Sequence, residues 1–429
     1  MSCYQIIFKV IIMDTIISKY RLYILLSGLC LLFIFIGGCE DKNAEADSAS
    51  QSSFNSMSDK PLEEFQIRLL DTAFETATRI PIYPHIKDRS RSQEAVVETC
   101  LKLDQPKRAL RYIEKIDNWR KHLCYANLAC YCARHGHSDL ANKYLDKAGQ
   151  FPVVKQEWRL NRIKTKIIET RSLLGQKSMA ENLKTELVNS ETDEQAKAKV
   201  MAMQQTDSFE KRVESLDALI ATDNFEMVKH ALKEYVKLYD RFFDDEERRS
   251  QVEEIIMTSW DVTPIPIRIE LLMELAGSAI AHSNPGKALE YLDEADILLE
   301  MIGLFPENYI EKKAKLAVLR FQAGDTEKAR EKVNEALTFF NEQRRMIIDV
   351  YRAEALCPVA EAYHLMDDAE VALSVYKRAI DEGTKNPNSR PRAEDLSSTC
   401  CSMALHAAKP DDELWARIQQ INEGLGDPW

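Results

Sequence analysis

The sequence predicts an all-α protein built as an array of helix–turn–helix units. Three observations predict it. Only 13 Gly and 14 Pro occur in 429 residues, fewer than a fold with many tight turns uses. From about residue 61 onward, apolar residues recur at three- and four-residue spacing, the period of an amphipathic helix. One pattern of small residues returns at similar intervals along the chain. Hydrophobic residues make up 45% of the sequence, which is enough to fill a core, and Ala, Leu, Glu and Lys favour helix throughout.

The N-terminus comes first. Lys19 and Arg21 precede residues 22–36, a stretch without charge that ends in Ile36-Gly37-Gly38-Cys39. A positive patch, a short apolar run and small residues before a cleavage point describe a secretory signal. Those 15 residues are short of the roughly 20 that a spanning helix needs. The ending resembles the lipobox of bacterial lipoproteins, although that family usually has Leu where Ile36 stands. The resemblance implies cleavage after residue 38, lipidation of Cys39 and a chain held at a bacterial cell envelope, facing the periplasm. An uncleaved anchor with a chance Cys is the alternative. Met13 offers a second start that gives a leader of ordinary length.

Residues 39–60 follow as the lipidated Cys and a linker. The segment DKNAEADSASQSSFNSMSDK is rich in Ser, Asp and Lys and too poor in apolar residues to bury a core, so it reads as a flexible tether.

The repeats fill the rest. The clearest copy is Leu128, Ala129, Cys132, Gly136, Ala141, Leu145, Ala148. Others are Leu275, Ala276, Ala279, Ser283, Ala288, Leu292, Ala295; Leu316, Ala317, Arg320, Gly324, Ala329, Val333, Ala336; and Val359, Ala360, Tyr363, Asp367, Ala372, Tyr376, Ala379. Weaker copies centre on Ala109 and Ala180. Aligned on the central Ala, successive copies lie 32, 39, 41 and 43 residues apart, with a gap in register near 190–260. Ala at helix crossings lets two backbones approach closely, and Gly, Asp or Ser accommodates the turn between them. This pattern resembles the tetratricopeptide repeat, a helix–turn–helix unit of about 34 residues. The consensus Trp, first-helix Tyr and closing Pro are mostly absent here. The resemblance implies a right-handed superhelical α-solenoid that binds proteins in a concave groove.

Within the gap, helices are expected over 209–220, 225–243 and 246–260. Pro264 and Pro266 must interrupt a helix, which divides the array into N-terminal repeats over 61–263 and C-terminal repeats over 264–385. Residues 386–391 read as a loop. Helices over 393–407 and 412–425 then form a terminal capping pair within 386–429.

Chemistry-bearing motifs are few. Cys130, Cys132, His135 and His137 suggest zinc by their types, but Cys130 and Cys132 point to opposite sides of a helix, so no metal is expected. The other cysteines beyond the leader are Cys100, Cys124, Cys357, Cys400 and Cys401; they serve either as small buried residues or as bridges, Cys100–Cys124 and Cys357 with Cys400 or Cys401. Acidic runs at Asp244–Glu247, Asp367-Asp368 and Asp411-Asp412 fall at helix starts, where carboxylates cap N–H groups. No phosphate-binding loop, dinucleotide fingerprint, zinc-protease helix or nucleophile elbow occurs, so no cofactor and no enzyme are expected. The formal charge of −12 repels phosphate backbones and argues against nucleic acid.

Aligned repeats assign Met273, Ile280, Val318, Phe321, Glu361 and His364 to the groove, a mixed apolar and acidic lining suited to a peptide or helix of a partner protein. The same residues also fit as core. The expected function is therefore a membrane-tethered scaffold for other proteins. The rivals are a glycan-binding lipoprotein, which needs exposed aromatics and finds no Trp cluster in the sequence, and a cell-wall enzyme accessory or remnant.

Overall fold

A computed structural model describes residues 57–151, 157–185, 187, 208–222 and 224–429. Residues 1–56, which carry the expected leader, Cys39 and most of the expected linker, lie outside them. All regular structure among the described residues is helical, with no strand. The helices are α1 (Glu64–Arg79), α2 (Ile82–Lys102), α3 (Pro106–Ile113), α4 (Arg120–Arg134), α5 (Ser138–Gly149), α6 (Glu157–Leu173), α7 (Lys177–Thr185), α8 (Phe209–Ile220) and α9 (Phe225–Arg241). They continue with α10 (Glu246–Thr258), α11 (Ile265–Ala281), α12 (Pro285–Met301), α13 (Pro306–Gln322), α14 (Thr326–Gln343), α15 (Asp349–Leu365), α16 (Ala369–Gly383), α17 (Ser389–Leu405) and α18 (Asp412–Glu423).

One backbone signature marks the repeat. Among the described residues, seven helices end on a left-handed residue: Asp104, Gly136, Gly175, Ser283, Gly324, Asp367 and Ala407, with φ between +54° and +88°. In each, the following N–H bonds the carbonyl five residues back, as in Gln105 to Cys100 and Ala408 to Met403, at 2.8–2.9 Å. This is a Schellman cap, and it turns the chain so that the next helix lies back along the first. The seven first helices are α2, α4, α6, α11, α13, α15 and α17. In six of them the second helix follows directly in the chain, from α3 after α2 to α16 after α15.

Helix starts follow ordinary capping chemistry. Asn284, Asp325 and Asp411 accept the N–H of the residue three later at 3.1, 3.4 and 2.9 Å. Asp245 does the same for Arg248 at 3.2 Å, so the acidic runs at 244–247 and 411–412 are caps. Asp367 supplies a left-handed turn instead, and Asp368 takes Arg330 Nη1 at 3.2 Å.

Three boundaries differ from the expectation. Pro264 is the N-cap of α11 and Pro266 sits in its first turn, where a missing N–H is harmless. The helix therefore starts at the prolines, and one core continues from Phe209 and Tyr235 through Leu275 to Leu316 without a division at 264. Pro391 likewise sits in the first turn of α17, which begins at Ser389 rather than near 393.

The third difference concerns the chain ends. The sequence places α17 and α18 as a closing cap. Instead α17 packs between α15 and α2, and its antiparallel partner is α1. Gln66 Nε2 donates to the Ala404 carbonyl at 2.8 Å, and Ser397 Oγ donates to the Ala73 carbonyl at 3.0 Å. Helix α1 thus fills the second-helix place of the seventh unit, and α2 follows as the next first helix. Helix α18 lies beside it, bridged to α16 by Lys377–Glu413 at 2.6 Å and Arg417–Asp381 at 3.3 Å. It is bridged to α1 by the Arg68 guanidinium 4.1 Å over Trp415 and by Thr76–Asn422 at 2.9 Å. One core accordingly joins Leu69 and Phe74 to Leu356 and Ile418. In space the array runs from α8–α10 through α11–α17, then across to α1–α7.

Candidate functional site

The first helices pack side by side in the order α11, α13, α15, α17, α2, α4, α6, so equivalent positions line up across them. Counting back from each left-handed residue gives the register. Ile280, Phe321 and His364 stand three residues before it, Val318 and Glu361 six, and Met273 ten. All six are half-buried. Met273 and Ile280 pack against the core of α8–α12, and Val318 and Phe321 against the larger core. Glu361 accepts from Ser402 Oγ at 2.6 Å and lies 3.7 Å from His406 Nδ1, so it links α15 to α17. These residues occupy equivalent rows on neighbouring helices.

A further row escaped the alignment on small residues. Glu270, Glu311, Glu354 and Glu394 each stand thirteen residues before the left-handed turn of four successive first helices. The signal is readable as a Glu recurring in step with the repeat. Against the penalty of burial, Lys312 and Lys233 hold the Glu270 carboxyl below its usual range, and Lys312 lies 3.1 Å from it. Glu354 is exposed, yet burial of its surroundings and then Glu311 and Glu307 push its carboxyl up. Burial also raises Glu394 and takes Asp395 to about 8, with Glu394, Glu354 and Asp349 adding to the latter. Burial and neighbouring acids thus favour the neutral forms of Glu354 and Glu394, whereas Lys312 and Lys233 favour the ionised form of Glu270, and Glu311 and Glu394 pair with Lys315 and with Arg390 at 3.6 Å.

The remaining motifs resolve simply. Cys130 is buried with its sulfur 3.6 Å from Glu169 Oε1, Cys132 lies in the core, and His135 Nδ1 sits 2.8 Å from the Tyr131 carbonyl. Among the described residues no three His, Cys, Asp or Glu converge to hold a metal ion. The seven cysteines from Cys100 to Cys401 are buried free thiols. Burial raises their pKa, with Cys132 and Cys401 pushed up to about 12, which disfavours their thiolate forms. No described helix is long and apolar enough to cross a membrane. The sequence shows no Trp cluster, whereas folding brings Trp119 and Trp158 edge-to-face with centroids 5.4 Å apart. No family model matches this chain, and no curated protein matches it.

Proposed function

We propose that this chain is a membrane-anchored lipoprotein whose divergent tetratricopeptide-like repeats act as a scaffold for other proteins. Lipidation at Cys39 tethers it at a bacterial cell envelope, facing the periplasm. The first-helix face receives a segment of a partner, and the chain performs no catalysis of its own. One observation carries the reading: four successive first helices present the row Glu270, Glu311, Glu354 and Glu394 next to half-buried Met273, Ile280, Val318 and Phe321. A repeated acidic row bordered by apolar side chains suits an extended or helical segment with basic and apolar side chains.

Crosslinking and pull-down of the full chain from its native membranes tests this, with Cys39→Ala as the tethering control. One or two proteins in near-equal amounts, lost when Glu311 and Glu354 are both changed to Gln, support the scaffold. Recovery of wall fragments or glycan without protein overturns it.

A further inference from the structure

At the far end of the array, three arginines gather around one indole. Trp119 is the N-cap of α4 and is 6% exposed. The guanidinium carbons of Arg120, Arg159 and Arg162 lie 4.9, 5.6 and 6.0 Å from its ring centroid. Arg159 also lies 5.1 Å over Trp158, which is 43% exposed and edge-on to Trp119. A planar cation on an indole face is held without a counter-charge, so this pair of rings fixes three guanidiniums in one place.

Among the described residues, one carboxylate is ion-paired with these guanidiniums. Glu94 on α2, 4% exposed, accepts from Arg120 Nη1 and lies 3.7 Å from Arg162 Nη2. Among the described neighbouring acids, Asp88 pairs with Arg91 at 3.6 Å and Arg390 at 3.5 Å, Asp117 with Arg89 at 3.6 Å, and Glu98 accepts from Asn127 Nδ2 at 3.4 Å. Arg159 forms no ion pair among the described residues, and its Nε is buried without a hydrogen-bond partner. Burial and then Arg162, Arg91 and Arg159 pull the Arg120 guanidinium down to about 10. Three half-buried guanidiniums so close together repel one another, and among the described residues only Glu94 is ion-paired with them. Such a cluster is stabilised by an added anion.

We propose that Arg120, Arg159 and Arg162, walled by Trp119 and Trp158, bind the Asp and Glu side chains of an acidic, aromatic-bearing peptide segment of a partner protein. The forked guanidinium matches a carboxylate in two parallel hydrogen bonds, and the half-exposed indole of Trp158 offers the apolar contact beside it. The half-exposed indole of Trp158 favours a segment that carries apolar side chains beside its acids over a bare phosphate polymer. The site deepens the scaffold reading and rests on it, at a place distinct from the glutamate row.

The test uses the full chain in mild detergent and a fluorescein-labelled synthetic peptide of Glu and Phe with an amidated C-terminus. Expected are binding that weakens as salt rises, quenching of tryptophan fluorescence that Trp158→Phe reduces, and affinity lowered roughly tenfold or more by Arg159→Gln or Arg162→Gln. Arg159 has no ion pair among the described residues, so Arg159→Gln gives up only its contacts with the two indoles and its melting temperature should fall little, which separates lost recognition from lost folding. Unchanged affinity in both variants overturns the proposal, as does tighter binding of tripolyphosphate than of the peptide. Failure here, with protein partners still recovered from membranes, overturns this site and leaves the scaffold reading standing.

Discussion

Phe74→Ala tests whether the first helix completes the last repeat unit. Phe74 is 4% exposed and stacks on Tyr112 with centroids 4.2 Å apart and planes 7° from parallel. Returning its side chain to water costs about 2–3 kcal/mol. Losing the ring pair adds about 0.5–1.5 kcal/mol, and the cavity brings the total to about 3–5 kcal/mol. Because 1.4 kcal/mol is about a factor of ten, opening of α1 should become at least a hundredfold more frequent. Helix α17 has α1 as its antiparallel partner through Gln66–Ala404 and Ser397–Ala73, so its protection depends on α1. Amide hydrogen exchange on the full chain reads this residue by residue. Exchange should quicken over 64–79 and over 389–423 together, while α8–α10 hold their rates. Faster exchange confined to 64–113 would refute the reasoning, because it would mean that α17 keeps its place without α1.

Asp296 serves Lys313, Arg320 and Lys332 at 3.7, 3.6 and 2.9 Å, and the first two cations are nearly inaccessible. Asp296→Ala should cost about 3 kcal/mol in urea unfolding, with its circular dichroism spectrum unchanged, since it leaves buried charge less compensated. Burial holds Asp395 protonated to about pH 8, above its unfolded range. Its contribution is therefore fully present below about pH 4 and is lost as pH rises through about 8. The melting temperature of Asp395→Asn should fall less than that of the wild type between pH 5 and pH 8, and equal slopes would dismiss this role. Gly383 has the Asp395 Cβ only 2.9 Å from where its own Cβ would stand. Gly383→Ala should therefore destabilise by roughly 1–3 kcal/mol, measured by thermal melting.

Helices and their turns were legible because they follow local chemistry. Gly136, Gly175 and Gly324 take the left-handed turn freely, and Asp367 and Ser283 tolerate it, so these units announce themselves. Ala407 takes the same conformation without any such preference, and the seventh unit passed for the start of a cap. The pairing of α17 with α1 was invisible for another reason. It joins Gln66 to Ala404 across 338 residues, and amphipathic periodicity says which face is buried but not against which helix. Of the candidate site, the half-buried first-helix positions were readable from the small-residue register. The glutamate row lay in the same register, but acids on a helix face read as solvated surface until four of them align. The arginine cluster draws on Glu94, Arg120, Arg159 and Arg162 from three helices, so only the fold assembles it.

The joining of α1 to α17 also orders events in time. Helix α1 is among the first segments of the described chain to be synthesised, and the partner that shields Leu69, Leu70 and Phe74 is among the last. Contacts between residues so far apart in sequence close late, because a long loop must be ordered before they form. Until then an apolar helix stands without its covering neighbour, and it can pair wrongly or aggregate. A growing chain of this design gains most from a factor that shelters its N-terminal segment until the final repeat arrives.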